Sequence, residues 1–400
     1  MCVERNISKS LIFLLAVSCG VIVANIYYSQ TIISVISDTL NMSLKSSGFI
    51  VSITQLGYGV GLVFLVPLAD KYENKKLILS LIILSIVITI AITLTTSPSL
   101  FLIISLLLGV SAVAVQVIVP YVSHLAAATE RGRVVGNVMS GLMLGIMMSR
   151  PASSFISEFL PWQFVYILSA ILMFILLMVL WLKLPERHPK NSLKYLEILK
   201  SMKMIVVSEP VLRRRSIYQA AMFGCFSLFW TASPLLLLSP VFNFSHQGVA
   251  LFALAGVAGA IAAPLAGKMA DQDKVRKGTK YAMIIAMISF GLTLFCQSGS
   301  VVAVFILTVA AILIDFATAL NLVLGQREIF LLNSALRSRI NGIYMATFFL
   351  GGSVASALGA WVFVVFGWIG VVTVSVTIML LAFIYFLTEK TPLDLNATLV

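Results

Sequence analysis

Apolar residues run through the chain in long blocks separated by short polar stretches. The blocks fall at about 11–33, 46–69, 77–97, 100–124, 134–157, 163–183, 216–239, 247–269, 280–298, 301–324, 340–363 and 369–388. Each is close to the ~20 residues that a helix needs to cross about 30 Å of hydrocarbon. The pattern predicts an all-α membrane protein of twelve transmembrane helices, with no barrel strands.

Composition agrees with that reading. Of 400 residues, 60% are hydrophobic and only 10% charged, with a mean hydropathy of +1.06, whereas soluble domains carry about 25% charged residues. A net charge of +12 raises the question of nucleic acid, but the charge is not a patch. With the N-terminus placed inside, all but two of the 27 basic residues fall in inner segments; the exceptions are Lys45, in the first outer loop, and Arg150, in the fifth span. This distribution predicts both termini in the cytoplasm of a cell with a cytoplasmic (inner) membrane, and it argues against a nucleic-acid partner. The four cysteines, Cys2, Cys19, Cys225 and Cys296, have no paired spacing, so neither a disulfide framework nor a metal site is expected. The run through Cys19 is too long for a short signal core, and the first span is expected to be retained.

The chain repeats itself when slid by about half its length. At an offset of 201, Asp70 falls on Asp271 and Tyr28 on Phe229. At 206, Arg131, Arg133, Gly136, Gly145 and Trp162 fall on Arg337, Arg339, Gly342, Gly351 and Trp368. The order of matches predicts two six-helix halves, 1–183 and 216–400. Between them 184–215 is basic, proline-punctuated and partly amphipathic, which predicts a cytoplasmic linker lying on anionic headgroups.

Two parallel six-helix halves joined by a long basic loop resemble the major facilitator superfamily of secondary transporters. That family carries Gly-x-x-x-Asp-Arg/Lys-x-Gly-Arg/Lys-Arg/Lys between spans two and three. Here the stretch from Val66 to Lys75 keeps Asp70, Lys71 and Lys75 but not the glycines, and the second copy, from Gly267 to Asp271, keeps its glycine and aspartate. By resemblance, Asp70 bridges to Arg131 or Arg133 and holds the halves together in one state. "ANIYYSQ" in span one and the stretch from Arg131 to Arg150 in span five look like bacterial permeases grouped with arabinose-efflux and drug/proton-antiporter-like proteins. Their span-five Gly-Pro-x-x-Gly-Gly element is reduced here to Arg150-Pro151-Ala152-Ser153-Ser154-Phe155, which keeps only the proline. The resemblance implies a monomer working by alternating access, with proton-coupled export of a small organic compound by antiport as the preferred direction. Uptake or facilitated diffusion of a sugar or organic anion is the alternative. It also implies that spans two, five, eight and eleven form the interface between the halves, where Gly57, Gly59, Gly61, Gly141, Gly145, Gly256, Gly259, Gly351, Gly352 and Gly359 cluster.

Polar groups deep in a span are costly and are the candidates for function. They are Asn25, Tyr28 and Gln30 on span one, Gln116 on span four, Arg150 on span five, Trp230 on span seven, and Asp315 and Asn321 on span ten. All but Arg150 lie on the helices that line the central cavity in the superfamily. Asp315 is the one carboxylate well inside a predicted span, roughly 18 and 22 Å from the two ends. A carboxyl exchanges protons, so Asp315 is the candidate to carry a coupling proton; a fixed packing role is the other reading. The Arg150 guanidinium stays charged at accessible pH and is therefore a fixed cation. Two placements are open for it. Its long side chain snorkels to the outer headgroups, or it faces the cavity to meet an anionic substrate or, transiently, Asp315. On a straight helix count the two charges differ in depth by roughly 10 Å, which argues against a lasting ion pair. In the repeat, Asp315 falls on Gly109 and Arg150 on Ser356, so neither charge belongs to the packing that the halves share.

Tyr27, Tyr28, Phe226, Phe229 and Trp230 would suit a moderately apolar ligand. No Gly-x-x-x-x-Gly-Lys-Ser/Thr loop occurs, so a gradient and no cofactor is expected to drive transport. His124, His188 and His246 are scattered, with no nucleophile–base pair or metal cluster to make an enzyme. A membrane receptor that carries nothing across is the remote alternative.

Overall fold

The computed structural model describes residues 7–127, 130–189, 194–257, 274–296, 298–332 and 336–389, with residues 262, 265, 266, 269 and 272 between them. Asp271 and the Arg131 side chain lie outside the described residues.

Where they are described the apolar runs are helices, and their arrangement fits twelve crossings. Nine helices among the described residues are long and apolar enough to cross a membrane. One of these, Arg337–Leu387, is two crossings, because Gly367 at φ 63° breaks it; only glycine adopts that conformation readily. Span five, Arg131–Phe159, has the length but a more polar composition, and the helix His246–Val257 begins span eight.

Two spans are broken in ways that matter for the site. The first helix, Lys9–Ala24, stops early because the Asn25 amide nitrogen donates to the carbonyls of Val21 and Ile22, at 3.1 and 3.2 Å, at its end. The chain then passes through a 3-10 turn, Tyr28–Gln30, into a short helix, Ile33–Thr39. This irregular stretch is fastened to span five, where the Thr31 hydroxyl donates to the Arg150 carbonyl at 3.0 Å. Span four is likewise two helices, Pro98–Ala112 and Ala114–Leu125.

Close packing within each half uses small residues at equivalent repeat positions. A methyl group at Gly145 would stand 2.2 Å from the Gly20 carbonyl oxygen, and one at its repeat counterpart Gly351 would stand 2.5 Å from that of Ala220. Span five therefore lies against span one as span eleven lies against span seven, backbone to backbone. These glycines serve packing inside the halves, not the interface expected for them. The halves meet along spans two and eleven, where a methyl group at Gly48 would meet the Ser356 carbonyl at 2.4 Å and one at Gly59 would have the Ala346 carbonyl at 3.6 Å, and along spans five and eight.

The linker is ordered where it is described. Glu73 is the N-cap of span three, accepting from the backbone of Lys75 and Lys76, both at 2.7 Å, and it also accepts from the Arg187 backbone at 3.2 Å. Burial pushes its carboxyl up, but these N–H groups, with that of Arg187, outweigh it and hold the group below the ordinary carboxylate range. A helix, Tyr195–Ser208, then crosses this end of the bundle, with the Tyr195 hydroxyl donating to the Phe64 carbonyl at 2.6 Å. In the C-terminal half, buried Arg215 joins Glu328 and Glu389 at 3.1 and 3.3 Å and ties together spans seven, ten and the end of twelve. Below, this is called the linker end of the bundle and the opposite end the far end.

Candidate functional site

The fold brings Arg150 and Asp315 together. Their Nη1 and Oδ2 atoms are 3.4 Å apart, with side-chain exposures of 1% and 4%. The two charges meet across their roughly 10 Å difference in depth for a geometric reason. Side chains lean toward the N-terminus of their own helix; span five starts at the linker end and span ten at the far end, so Arg150 and Asp315 lean toward each other. The reach of the arginine closes the rest. Snorkelling to the outer headgroups is thereby overturned.

Each charge has a hydrogen-bond partner in its own half, and Arg150 also lies on aromatic rings of the other. Arg150 Nε donates to Gln30 Oε1 at 3.1 Å, and its guanidinium carbon lies 4.2 Å from the Trp230 ring centroid and 4.8 Å from that of Phe226, a cation–π arrangement that fixes the plane of the fork. Trp230 Nε1 donates to Asp315 Oδ1 at 2.7 Å. A methyl group at Gly256 would stand 2.4 Å from Asp315 Oδ2 and 3.1 Å from both Arg150 Nη1 and the Trp230 ring. Span eight thus presents a glycine to the pair.

A cavity lies against the pair, with about 740 Å³ of empty space when its opening to solvent is counted. It is lined on span five by residues that precede Arg150 (Met139, Met143, Met147) and on span ten by residues that follow Asp315 (Thr318, Leu322, Gln326). Given the directions of those helices, the chamber lies on the linker side of the ion pair. Tyr27, Tyr58, Phe223, Phe226 and Phe349 complete a mostly apolar wall, of the chemical character of a small-molecule site. On the far side the halves are bonded to each other. Ser52 and Ser353 hydroxyls lie 3.1 Å apart, Gln55 donates to Ser227 at 3.1 Å and accepts from Ser356 at 3.3 Å, and the Gln247 N–H donates to Glu158 at 3.1 Å.

The remaining candidates divide. Gln116 lines the chamber and donates to the Tyr58 hydroxyl at 3.1 Å. Asn321 donates at 2.7 Å to Gln219, which lines it. Gln30 and Trp230 act on the chamber through the charges they hold. Asn25 and Tyr28 face the other way. Asn25 accepts from Ser169 on span six at 2.9 Å, and Tyr28 stacks edge-on against Tyr166 at 6.0 Å. Phe229 packs inside its half against Phe290 and Trp368.

Asp70 has a different partner from the one expected. It lies 3.8 Å from Arg339, the repeat counterpart of Arg133, because spans two and eleven run side by side to the linker end. Arg133 is bonded instead to Glu130 three residues before it. Arg339 also donates to Ser201 of the linker helix at 3.0 Å. Lys71 sits over the Tyr72 ring at 5.7 Å, and Lys75 contributes its backbone N–H to Glu73 at 2.7 Å.

Four groups escaped the sequence reading. Gln55 was open to the same argument as the others, since it lies nine residues into its predicted run. Gln219 falls near the predicted start of span seven, but the helix begins at Pro210 and so places it deeper. Tyr58 hid among ordinary aromatics. The methionines Met139, Met143 and Met147 carry a legible signal, a spacing of four that puts them on one helix face.

The family model for the Major Facilitator Superfamily matches residues 13–324 and 251–398. The Uncharacterized transporter YgaY of Escherichia coli O157:H7 is 33% identical over 377 residues, covering 94% of this chain and 95% of that protein. Among solved structures, the nucleoside transporter NupG superimposes with a TM-score of 0.76 at 14% identity, over 94% of this chain and 99% of that one. The human organic anion transporter MFSD10 (TETRAN) does so with 0.69 at 14% identity, over 95% and 100%. Membrane-spanning helices in this arrangement and a family match over both repeats lead to one conclusion: the chain belongs to the major facilitator superfamily and is a membrane transporter, not an enzyme.

Proposed function

We propose that the protein is a proton-coupled secondary transporter of a small organic compound, working by alternating access around the chamber beneath Arg150 and Asp315. The observation that carries this reading is the buried ion pair itself, which joins a residue of one half to a residue of the other. A proton on Asp315 removes the charge attraction while leaving Trp230 an oxygen to donate to. The link between the halves weakens at the moment the proton binds, and that couples a gradient to a rearrangement. The Asp70–Arg339 contact at the linker rim is the second link that must break when the halves move. The basic linker end faces the cytoplasm in this reading, and export is the direction that the likeness of spans one and five to efflux permeases favours.

A thermal-stabilisation screen of metabolites and drugs on the purified protein supplies a transported probe. In proteoliposomes, Asp315→Asn is expected to abolish accumulation driven by a pH gradient while keeping exchange and downhill flux of that probe. Unchanged pH-driven accumulation would overturn the assignment of Asp315.

A further inference from the structure

The pair has more hydrogen-bond donors than acceptors. Arg150 uses Nε on Gln30 and Nη1 on Asp315, and its Nη2 has no acceptor among the described residues. Beside it, the Gln30 amide nitrogen is buried with no partner among the described residues. The Arg150 fork lines the chamber, so a ligand entering from the linker side meets surplus N–H groups on a fixed cation. Acceptor oxygens satisfy such groups, and a carboxylate matches the planar fork. An ammonium would face the guanidinium and add a second positive charge.

Charge balance then sets the state of Asp315. Among the described residues, the groups around the pair are Phe226 and Trp230 from span seven, Gly256 from span eight, and Gln30 and Tyr27 from span one, with Tyr27 5.9 Å from the guanidinium. Arg150 is therefore the charge that Asp315 sees, and Tyr27 the other titratable group. With Asp315 ionised the site is neutral, and an added carboxylate would leave one uncompensated negative charge in a low-dielectric interior, which is costly. With a proton on Asp315 Oδ2, the atom opposite Arg150, the incoming carboxylate replaces Asp315 as the counter-ion and the site stays neutral. The same count disfavours a dianion.

Resting on the reading of Asp315 as the proton-carrying group, we propose that the cargo is an organic monoanion with an apolar body, bound by Arg150 together with one proton on Asp315. Its carboxylate takes the free edge of the Arg150 fork and its body lies among Met139, Met143, Met147, Phe223 and Phe349. Each of the two ligands strengthens binding of the other, so both cross in the same direction and no net charge moves. This is cotransport, unlike the exchange that the likeness to proton antiporters implies. A cell rich in the anion exports it with its proton, because the carrier follows the sum of the two gradients.

The test is calorimetry on the full-length protein in lipid nanodiscs with 4-phenylbutyrate, phenylacetate and octanoate, each against its amide, in buffers of different ionisation enthalpy. The expected result is binding of at least one acid with uptake of one proton, affinity falling by up to about tenfold per pH unit as pH rises, and at least about tenfold weaker binding of the amide. In Asp315→Asn the acid should bind with no proton uptake. In liposomes, an imposed potassium diffusion potential should leave its flux unchanged. Amides binding as well as acids, acids binding without proton uptake by the unaltered protein, or none of the acids binding would each overturn the proposal. Those results leave proton coupling itself open to separate failure, which the Asp315→Asn accumulation assay reads. The calorimetry on the unaltered protein decides the matter even where a variant does not fold.

Discussion

Among the described residues two ion pairs join the halves of this transporter, and they are built for different work. Arg150–Asp315 lies at 3.4 Å with exposures of 1% and 4%; Arg339–Asp70 lies at 3.8 Å with exposures of 11% and 31%. The chemistry of the partners is the same, but the solvent is not. In the interior, two charges are tolerable only because each answers the other, and the loss of one is severe. At the rim, water and headgroups answer either partner, and the pair contributes little to stability. The buried pair is thus suited to sensing a proton or an anion, and the rim pair to marking which end of the bundle is closed.

The largest break in that comparison is Arg150→Met, which keeps volume and removes the cation. It leaves Asp315 as an uncompensated buried carboxylate, a loss of about 3–5 kcal/mol. The melting temperature in detergent is expected to fall sharply at pH 8 and much less at pH 5, where protonation of Asp315 removes the stranded charge; transport is lost at both. A fall of equal size at the two pH values would show that Asp315 does not depend on Arg150 for its charge balance.

Gly256→Ala disturbs the same pair without altering a charge. The added methyl group would lie 2.4 Å from Asp315 Oδ2 and 3.1 Å from the Trp230 ring that holds the other carboxylate oxygen, so the carboxylate must shift. Overpacking of this kind costs about 1–3 kcal/mol. Flux should fall several-fold, with the pH dependence of whatever flux remains displaced from that of the parent. Parent-like flux and pH profile would mean that the pair tolerates a shift of this size.

The sequence made some of this visible and hid the rest, and the division has a physical origin. Twelve crossings were legible because the length of an apolar run is a local quantity set by the thickness of the bilayer. The break after Ala24 was not, because it depends on how the Asn25 side chain turns back on its own helix. Arg150 and Asp315 stood out because charge in hydrocarbon is expensive anywhere. Their contact was missed because a count along the axis omits both the lean of side chains toward helix N-termini and the reach of an arginine. Asn25 and Tyr28 shared the first span with Gln30 and so looked equivalent to it, yet they point at Ser169 and Tyr166; the unwound turn between them scrambles the helical phase from which a face would be read. The partner of Asp70 was out of reach for another reason, since the repeat offers Arg133 and Arg339 as equals and only the packing of span two on span eleven selects between them.

That selection gives the smallest and most discriminating change. Asp70→Asn keeps the shape of the rim and removes one charge from a contact that Arg339 also shares with Ser201. The expected loss of stability is within the ~0–1 kcal/mol typical of partly exposed pairs, too little to alter ligand affinity at the chamber. What should change is the balance between conformations. With spin labels on the linker-end tips of spans two and eleven, the distance distribution of Asp70→Asn should gain a longer component, and Arg339→Gln should reproduce it because both variants cut the same link. If Asp70→Asn instead lowered the melting temperature as far as Arg150→Met, the rim pair would be a structural bond like the buried one, and the contrast between sensing interior and yielding rim would fall.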